Sequence, residues 1–202
     1  MSKIKQSPKL PAETRRNQLM SAAKKLFVKK GYRGTTIDEI AREAHVTKGA
    51  FYFYFKKKED ILLALIKSVT EKNRAVMLKE TRKGTTPGQF LRLLIGLHCH
   101  CDAIEYGDLV DIWVQAWRIP RIRRYIVDHL KQAVDFCGKN LDRSGLPPGI
   151  TKREMCVLII GIVDGLSVMN MLMPKEVNLD RQVLMFEKLT GACAAAARKG
   201  AK

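Results

Sequence analysis

Residues 46–55 read V-T-K-G-A-F-Y-F-Y-F, and Lys56, Lys57 and Lys58 follow at once. Aromatic side chains favour strands, and at period two this run has one apolar and one hydroxyl-bearing face. The flanks decide otherwise. Thr47 is a good N-cap residue, the turn before it is too short for a crossover, and no run nearby reads as a partner strand. At 3.6 residues per turn, Phe51 and Phe55 share a face, which is expected to pack on Leu26, Phe27 and Ile40. Tyr52 then stands beside Lys48 on the other side, and Tyr54 on the exposed rim. Phe53 is left without an assignment.

Upstream, Leu19, Ala22, Ala23, Leu26 and Phe27 recur at three and four, which predicts a helix from Ala12 that Gly31 ends. Thr36 with Glu39 is a capping box for a short helix whose Ile37, Ile40, Ala41 and Ala44 face inward. Downstream, Glu59 and Asp60 suit the first turn of a helix that carries Ile61, Leu62, Leu65, Ile66 and Val69 and runs to about Arg82. Lys83-Gly84-Thr85-Thr86-Pro87 then breaks the pattern and marks a domain boundary. Further helices are expected near 87–104, 105–118, 121–143, 151–173 and 180–199. The fold class is all-α, with about nine helices. The division is a disordered basic arm at 1–11, a helix-turn-helix domain at 12–70 with its motif at 36–55, and a helical regulatory and dimerisation domain at 71–202.

The 202 residues carry a formal net charge of +17 from 37 basic and 20 acidic side chains. Such a balance points to a polyanionic partner. Residues 1–60 hold 15 of the basic residues against 6 acidic ones, so the N-terminal third is the denser polycation. No apolar run is read as reaching the roughly 18–20 residues of a membrane helix. The basic N-terminus has no apolar segment behind it, so it is not read as a secretory signal. The five cysteines, Cys99, Cys101, Cys137, Cys156 and Cys193, are an odd number in apolar helical surroundings, which suits buried thiols in a cytoplasm.

Two helices joined by a turn of about three residues can lay the second in a DNA major groove, whose edges short or polar side chains must reach. Thr47, Lys48 and Gly49 have that character. Lys48 can donate to guanine or to phosphate, Gly49 permits close approach, and tyrosine hydroxyls can bond phosphate oxygens. Residues 35–62, T-T-I-D-E-I-A-R-E-A-H-V-T-K-G-A-F-Y-F-Y-F-K-K-K-E-D-I-L, resemble the DNA-binding domain of the TetR family of bacterial transcriptional regulators, over roughly residues 12–65. The resemblance implies an all-helical subunit, a homodimer and a palindromic operator. By position it implies that Thr36 meets phosphate, that Thr47, Lys48 and Gly49 read or approach bases, and that Tyr52, Tyr54 and Lys58 clamp phosphates. Tyr54 departs from the family, which often has His there, though a phenol can also donate to phosphate.

In the second part, L-I-I-G-I-V-D-G-L-S-V-M-N-M-L-M at 158–173 is apolar nearly all round, so it is expected to be buried in a core or between subunits. Gly161 and Gly165 with Val183, Phe186 and Leu189 are expected to form a dimeric four-helix contact. W-V-Q-A-W at 113–117 and V-D-G-L at 163–166 resemble regulators of the BetI-like subgroup, which fixes no inducer. Trp113 and Trp117 form an aromatic wall that, with Tyr106, His98 and Met169, could line a pocket for a small-molecule effector, or simply fill a core. H-C-H-C at 98–101 invites a metal reading, but a helix brings at most two of these together and zinc needs four ligands. No metal or other cofactor is assigned. No Walker loop, G-x-S-x-G, H-E-x-x-H or C-x-x-C occurs, so no catalytic residues are assigned. The reading is a homodimeric, ligand-responsive repressor that binds double-stranded operator DNA and no membrane. The alternatives are a metal- or thiol-responsive regulator using Cys99 and Cys101, and a DNA-binding protein without small-molecule control.

Overall fold

The computed structural model describes residues 12–99, 114, 115, 117–143 and 146–200. Eight helices occur among them: α1 Ala12–Gly34, α2 Ile37–Glu43, α3 Lys48–Tyr54, α4 Lys58–Glu80, α5 Pro87–Cys99, α6 Pro120–Asn140, α7 Lys152–Leu172 and α8 Leu179–Gly200. No strand forms among the described residues; Thr85 and Leu141 make a single parallel bridge. The helix expected at 105–118 lies mostly outside the described residues, as does the basic arm.

The helices enclose two cores. The first joins Leu19, Ala23, Leu26 and Phe27 of α1, Ile40 of α2, Phe51 of α3 and Ile61, Leu62 and Ile66 of α4. Phe51 and Phe55 are buried in it, on the residues the helical period selects. Ile122 and Ile126 of α6 also belong to this core, so the later part of the chain reaches into the earlier one. The second core joins Phe90, Leu91, Leu94, Val134, Cys137, Met155, Ile159, Val163, Val183 and Phe186 from α5, α6, α7 and α8. Cys137 and Cys156 are free thiols buried there. A hydrogen bond to Cys156, then burial, pushes the Cys137 thiol up and so away from the reactive thiolate.

Val183 and Phe186 are 1% and 8% exposed, so they complete the subunit's own core and are unavailable to a second subunit. The helix phase explains this: their neighbours Leu184 and Met185 point outward, with Leu189. Gly161 and Gly165 do lie on the surface, where an added Cβ would meet nothing within 4 Å. They sit in an exposed apolar strip with Val157, Leu158, Val168, Met169 and Leu172, opposite the face that holds Ile159 and Val163. By length and composition α7 is apolar enough to cross a membrane, contrary to the sequence expectation. Here its inner face belongs to the second core, and only its outer face lacks cover.

Backbone geometry explains one boundary. As the sequence predicts, the regular path of α1 stops at Gly31, at φ 72° and ψ 160°, and a separate short helical stretch beyond this kink runs to Gly34. Only glycine adopts that conformation freely. Between α2 and α3 the turn instead uses His45 at φ 52°. Opposite effects follow. Gly31→Ala should destabilise by about 1–3 kcal/mol through backbone strain alone, since the site has open space. His45→Gly should stabilise by about 1 kcal/mol. Urea denaturation of both variants checks the pair.

Candidate nucleic-acid interface and effector cavity

The reading end of the motif is built from caps. Thr36 Oγ1 accepts from the Glu39 amide at 3.3 Å, and Glu39 Oε2 accepts from the Thr36 amide at 2.9 Å. The Thr36 hydroxyl also donates to Glu39 Oε2, at 3.1 Å. Lys30 pairs with Glu39 and, with the Thr36 contacts, holds its carboxyl down to about 2, so the cap keeps its charge. Thr47 Oγ1 accepts from the Ala50 amide at 3.2 Å and opens α3. His45 and Val46 return their amides to Arg42 and Ala41. The turn thereby fixes α3 against α2 without long side chains.

This leaves Thr47, Lys48, Gly49, Tyr52 and Phe53 exposed along α3. Phe53 is 75% exposed and meets Tyr54 edge-on at 5.0 Å. An aromatic ring presented to water beside a cationic helix end is suited to sugars or thymine methyl groups. Sequence reasoning left it unassigned because its phase falls between core and rim. Tyr54 is half-buried and packs on the first core, so its ring is less open than expected.

Two lysines depart from a simple phosphate clamp. Lys58 Nζ donates to the carbonyls of Tyr32, at 2.7 Å, and Thr35, at 2.6 Å, and stands 4.4 Å above the Tyr32 ring. Its charge therefore caps the C-terminal end of α1, joined by the Thr35 hydroxyl, which donates to Leu26 and Gly31. Lys48 Nζ lies 2.9 Å from Asp38 Oδ1, and the hydrogen bond to Asp38 raises its pKa. Thr36 likewise spends its hydroxyl and amide on Glu39. Of the seven expected contacts, Thr47, Lys48, Gly49 and Tyr52 share one open face.

A cavity of about 490 Å³ lies among α4, α5, α6 and α7. His98 lines it; Trp117 and Met169 do not. Trp117 is 81% exposed in the segment before α6, and Met169 belongs to the outer strip of α7, which corrects both. Tyr106 and Trp113 lie outside the described residues, as do His100 and Cys101. Among the described residues no three His, Cys, Asp or Glu side chains gather as a metal site. The cavity adjoins the first core through Ile66 and Ile126, which belong to both. His129 on its wall stacks on Tyr125, with ring planes 13° apart and centroids at 6.4 Å. The Tyr125 hydroxyl is 2.6 Å from Thr70 Oγ1 of α4, and Thr70 also lines the cavity.

Residues 19–65 match the family model for bacterial regulatory proteins of the tetR family. The transcriptional activator FasR of Mycolicibacterium smegmatis is 31% identical over 161 residues, 77% of this chain and 70% of FasR. The chain belongs to the TetR family. The matched residues 19–65 are the helix-turn-helix part of the chain. This TetR-family chain is also 28% identical to the regulator YuxN of Bacillus subtilis over 157 residues, 71% of the chain and 50% of YuxN. It thus spans about half the length of that relative. In fold it is similar to NalD of Pseudomonas aeruginosa, the secondary repressor of the MexAB-OprM multidrug efflux pump, with TM-score 0.68 at 18% identity over 89% of this chain and 96% of NalD.

The Asp38–Lys48 pair makes a prediction for this TetR-family surface. Asp38→Asn should free Lys48 and remove a charge that repels phosphate. Non-specific DNA should then bind severalfold tighter, most visibly at low salt. Fluorescence anisotropy with unrelated duplexes at two salt concentrations measures it.

Proposed function

We propose that the protein is a homodimeric repressor, acting in the cytoplasm on a palindromic operator and released by a small-molecule effector. The observation that carries the reading is the open face of Thr47, Lys48, Gly49 and Tyr52, held out by two satisfied caps on a strongly basic subunit. Thr47 and Lys48 reach base edges, Gly49 gives clearance, and Tyr52 and Phe53 pack on the backbone. Tyr54 and Thr36 contribute phosphate contacts at the margins, and Lys58 acts by fixing α1 to α4. Repression follows the character of NalD; FasR, an activator, makes activation the second reading. We assign the regulatory part to the BetI-like subgroup on the resemblance of residues 113–117 and 163–166, and no enzymatic role is assigned.

The dimer is proposed to cover the apolar strip of α7, with Gly161, Gly165, Leu158 and Leu172, together with Leu184, Met185 and Leu189 of α8. A contiguous exposed apolar surface of this kind marks an association site, and a two-fold pairing matches a palindrome. The effector is proposed to enter the cavity beside His98 and His129. A molecule that displaces His129 disturbs its stack with Tyr125, and with it the Tyr125–Thr70 bond to α4. It releases DNA if it binds the displaced state more tightly.

Two measurements test this. In gel shifts with the protein's own upstream region, Lys48→Ala and Tyr52→Ala should each weaken binding about tenfold, and only Lys48→Ala, which removes a cation, should lower the salt slope, by up to about one. Native circular dichroism with unchanged affinity in both variants sinks the assignment. The double variant Leu172→Glu, Leu189→Glu should sediment at half the mass and lose operator binding; a persistent dimer rejects that interface.

A further inference from the structure

Four titratable groups of the cavity wall act on one another, while Asn73, Gln132, Asp135 and Lys139 also line it. Burial, then the nearby His98 and Arg74, lower the pKa of His129. Burial raises the pKa of Asp164, and His98 opposes it. Arg74 of α4, His98 of α5, His129 of α6 and Asp164 of α7 thus surround one region of the wall. The apolar part of the lining includes Met77, Leu94, Leu130, Phe136 and Ile160. Asp135, the other carboxylate on the wall, is engaged by Arg153 at 3.1 Å. Arg74, exposed at the cavity mouth, makes no hydrogen bond or ion pair among the described residues. His98 Nδ1 lies 2.8 Å from the Leu94 carbonyl, which leaves its Nε2 for another partner.

We propose that the cavity binds an apolar molecule bearing one carboxylate, with the head at Arg74 and His129 and the body along Met77, Leu94, Phe136 and Ile160. This rests on reading the cavity as the effector site. The volume of about 490 Å³ is that of an ordinary small-molecule pocket, and the aliphatic and aromatic walls demand an apolar body. The charge among the four titratable groups selects the head. A cation there meets a guanidinium and two imidazoles, and its one attraction is Asp164, whose burial disfavours the ionised form. A carboxylate meets the Arg74 fork and the His129 N–H, and accepts from Asp164 when that group is protonated. The field of a chain at +17 also concentrates anions around the mouth. Alkyl and aromatic acids share this chemistry.

The test is calorimetric titration of the full-length protein with decanoate and 2-naphthoate, below micellar concentration. Decanol and decyltrimethylammonium serve as uncharged and cationic counterparts. At least one acid is expected to bind at least about tenfold more tightly than both counterparts. Arg74→Gln, an exposed change that leaves both cores intact, should weaken the acid about tenfold. Asp164→Asn should retain it. The proposal is overturned if neither acid binds, if Arg74→Gln binds the acid as well as the parent, or if the ammonium binds best and Asp164→Asn abolishes it. Gel shifts on the same samples separate the two readings. An acid that binds yet leaves the DNA complex intact upholds the ligand class and overturns effector release. Failure of both acids to bind, with a normal DNA shift, overturns the ligand class alone.

Discussion

The burial of Ile122 and Ile126 in the core of the helix-turn-helix domain is the constraint on which the rest depends. These side chains are 0% and 7% exposed, and they arrive from α6, whose far end is built into the other core. Fully burying an isoleucine contributes about 1.5–3 kcal/mol. Separating α6 from the first core therefore costs several kcal/mol, far more than the exposed Arg121–Asp60 pair that flanks the contact. The apolar contact sets the strength of the link, and the ion pair and the Tyr125–Thr70 bond set its register. Helix α4 makes the reverse journey, from Ile61 in the first core to Met77 against the second. Two stiff helices thus tie the reading head to the cavity wall, and a change at that wall has little slack to be lost in.

The polar groups around the motif first satisfy the protein itself. Lys58 closes carbonyls of α1, Thr36 and Glu39 close each other, and Asp38 holds Lys48. Carbonyls at a helix end that lack partners would lose stability, so a lysine spent there strengthens the corner where α1 meets α4. Lys48 is different: its partner is exposed and its pairing weak, so phosphate can compete for it. The same surface is thereby orderly without DNA and still has a cation to give.

Much of the first domain could be read from local chemistry. The caps at Thr36 and Thr47 and the inward phase of Phe51 and Phe55 depend only on neighbours within four residues, and the structure places them so. What failed depends on distant partners. The carbonyls that hold Lys58 lie 23 and 26 residues away. Val183 and Leu184 are equally apolar, and only the position of α8 against α5 and α7 decides that one is core and the other surface. The cavity is the joint product of four helices, so Trp117 and Met169 could not be excluded from it by spacing, nor His129 and Arg74 selected.

The uncovered strip on α7 bears on how the subunit persists. Leu172 is 68% exposed and Leu158 52%. On the dimeric reading, part of the free energy that keeps each chain folded resides in its contact with another. Mass action then makes the midpoint of thermal unfolding rise with protein concentration. A regulator made in few copies would spend part of its time as lone, less stable chains open to proteolysis. Its cellular level would then respond to its own rate of synthesis more steeply than in proportion.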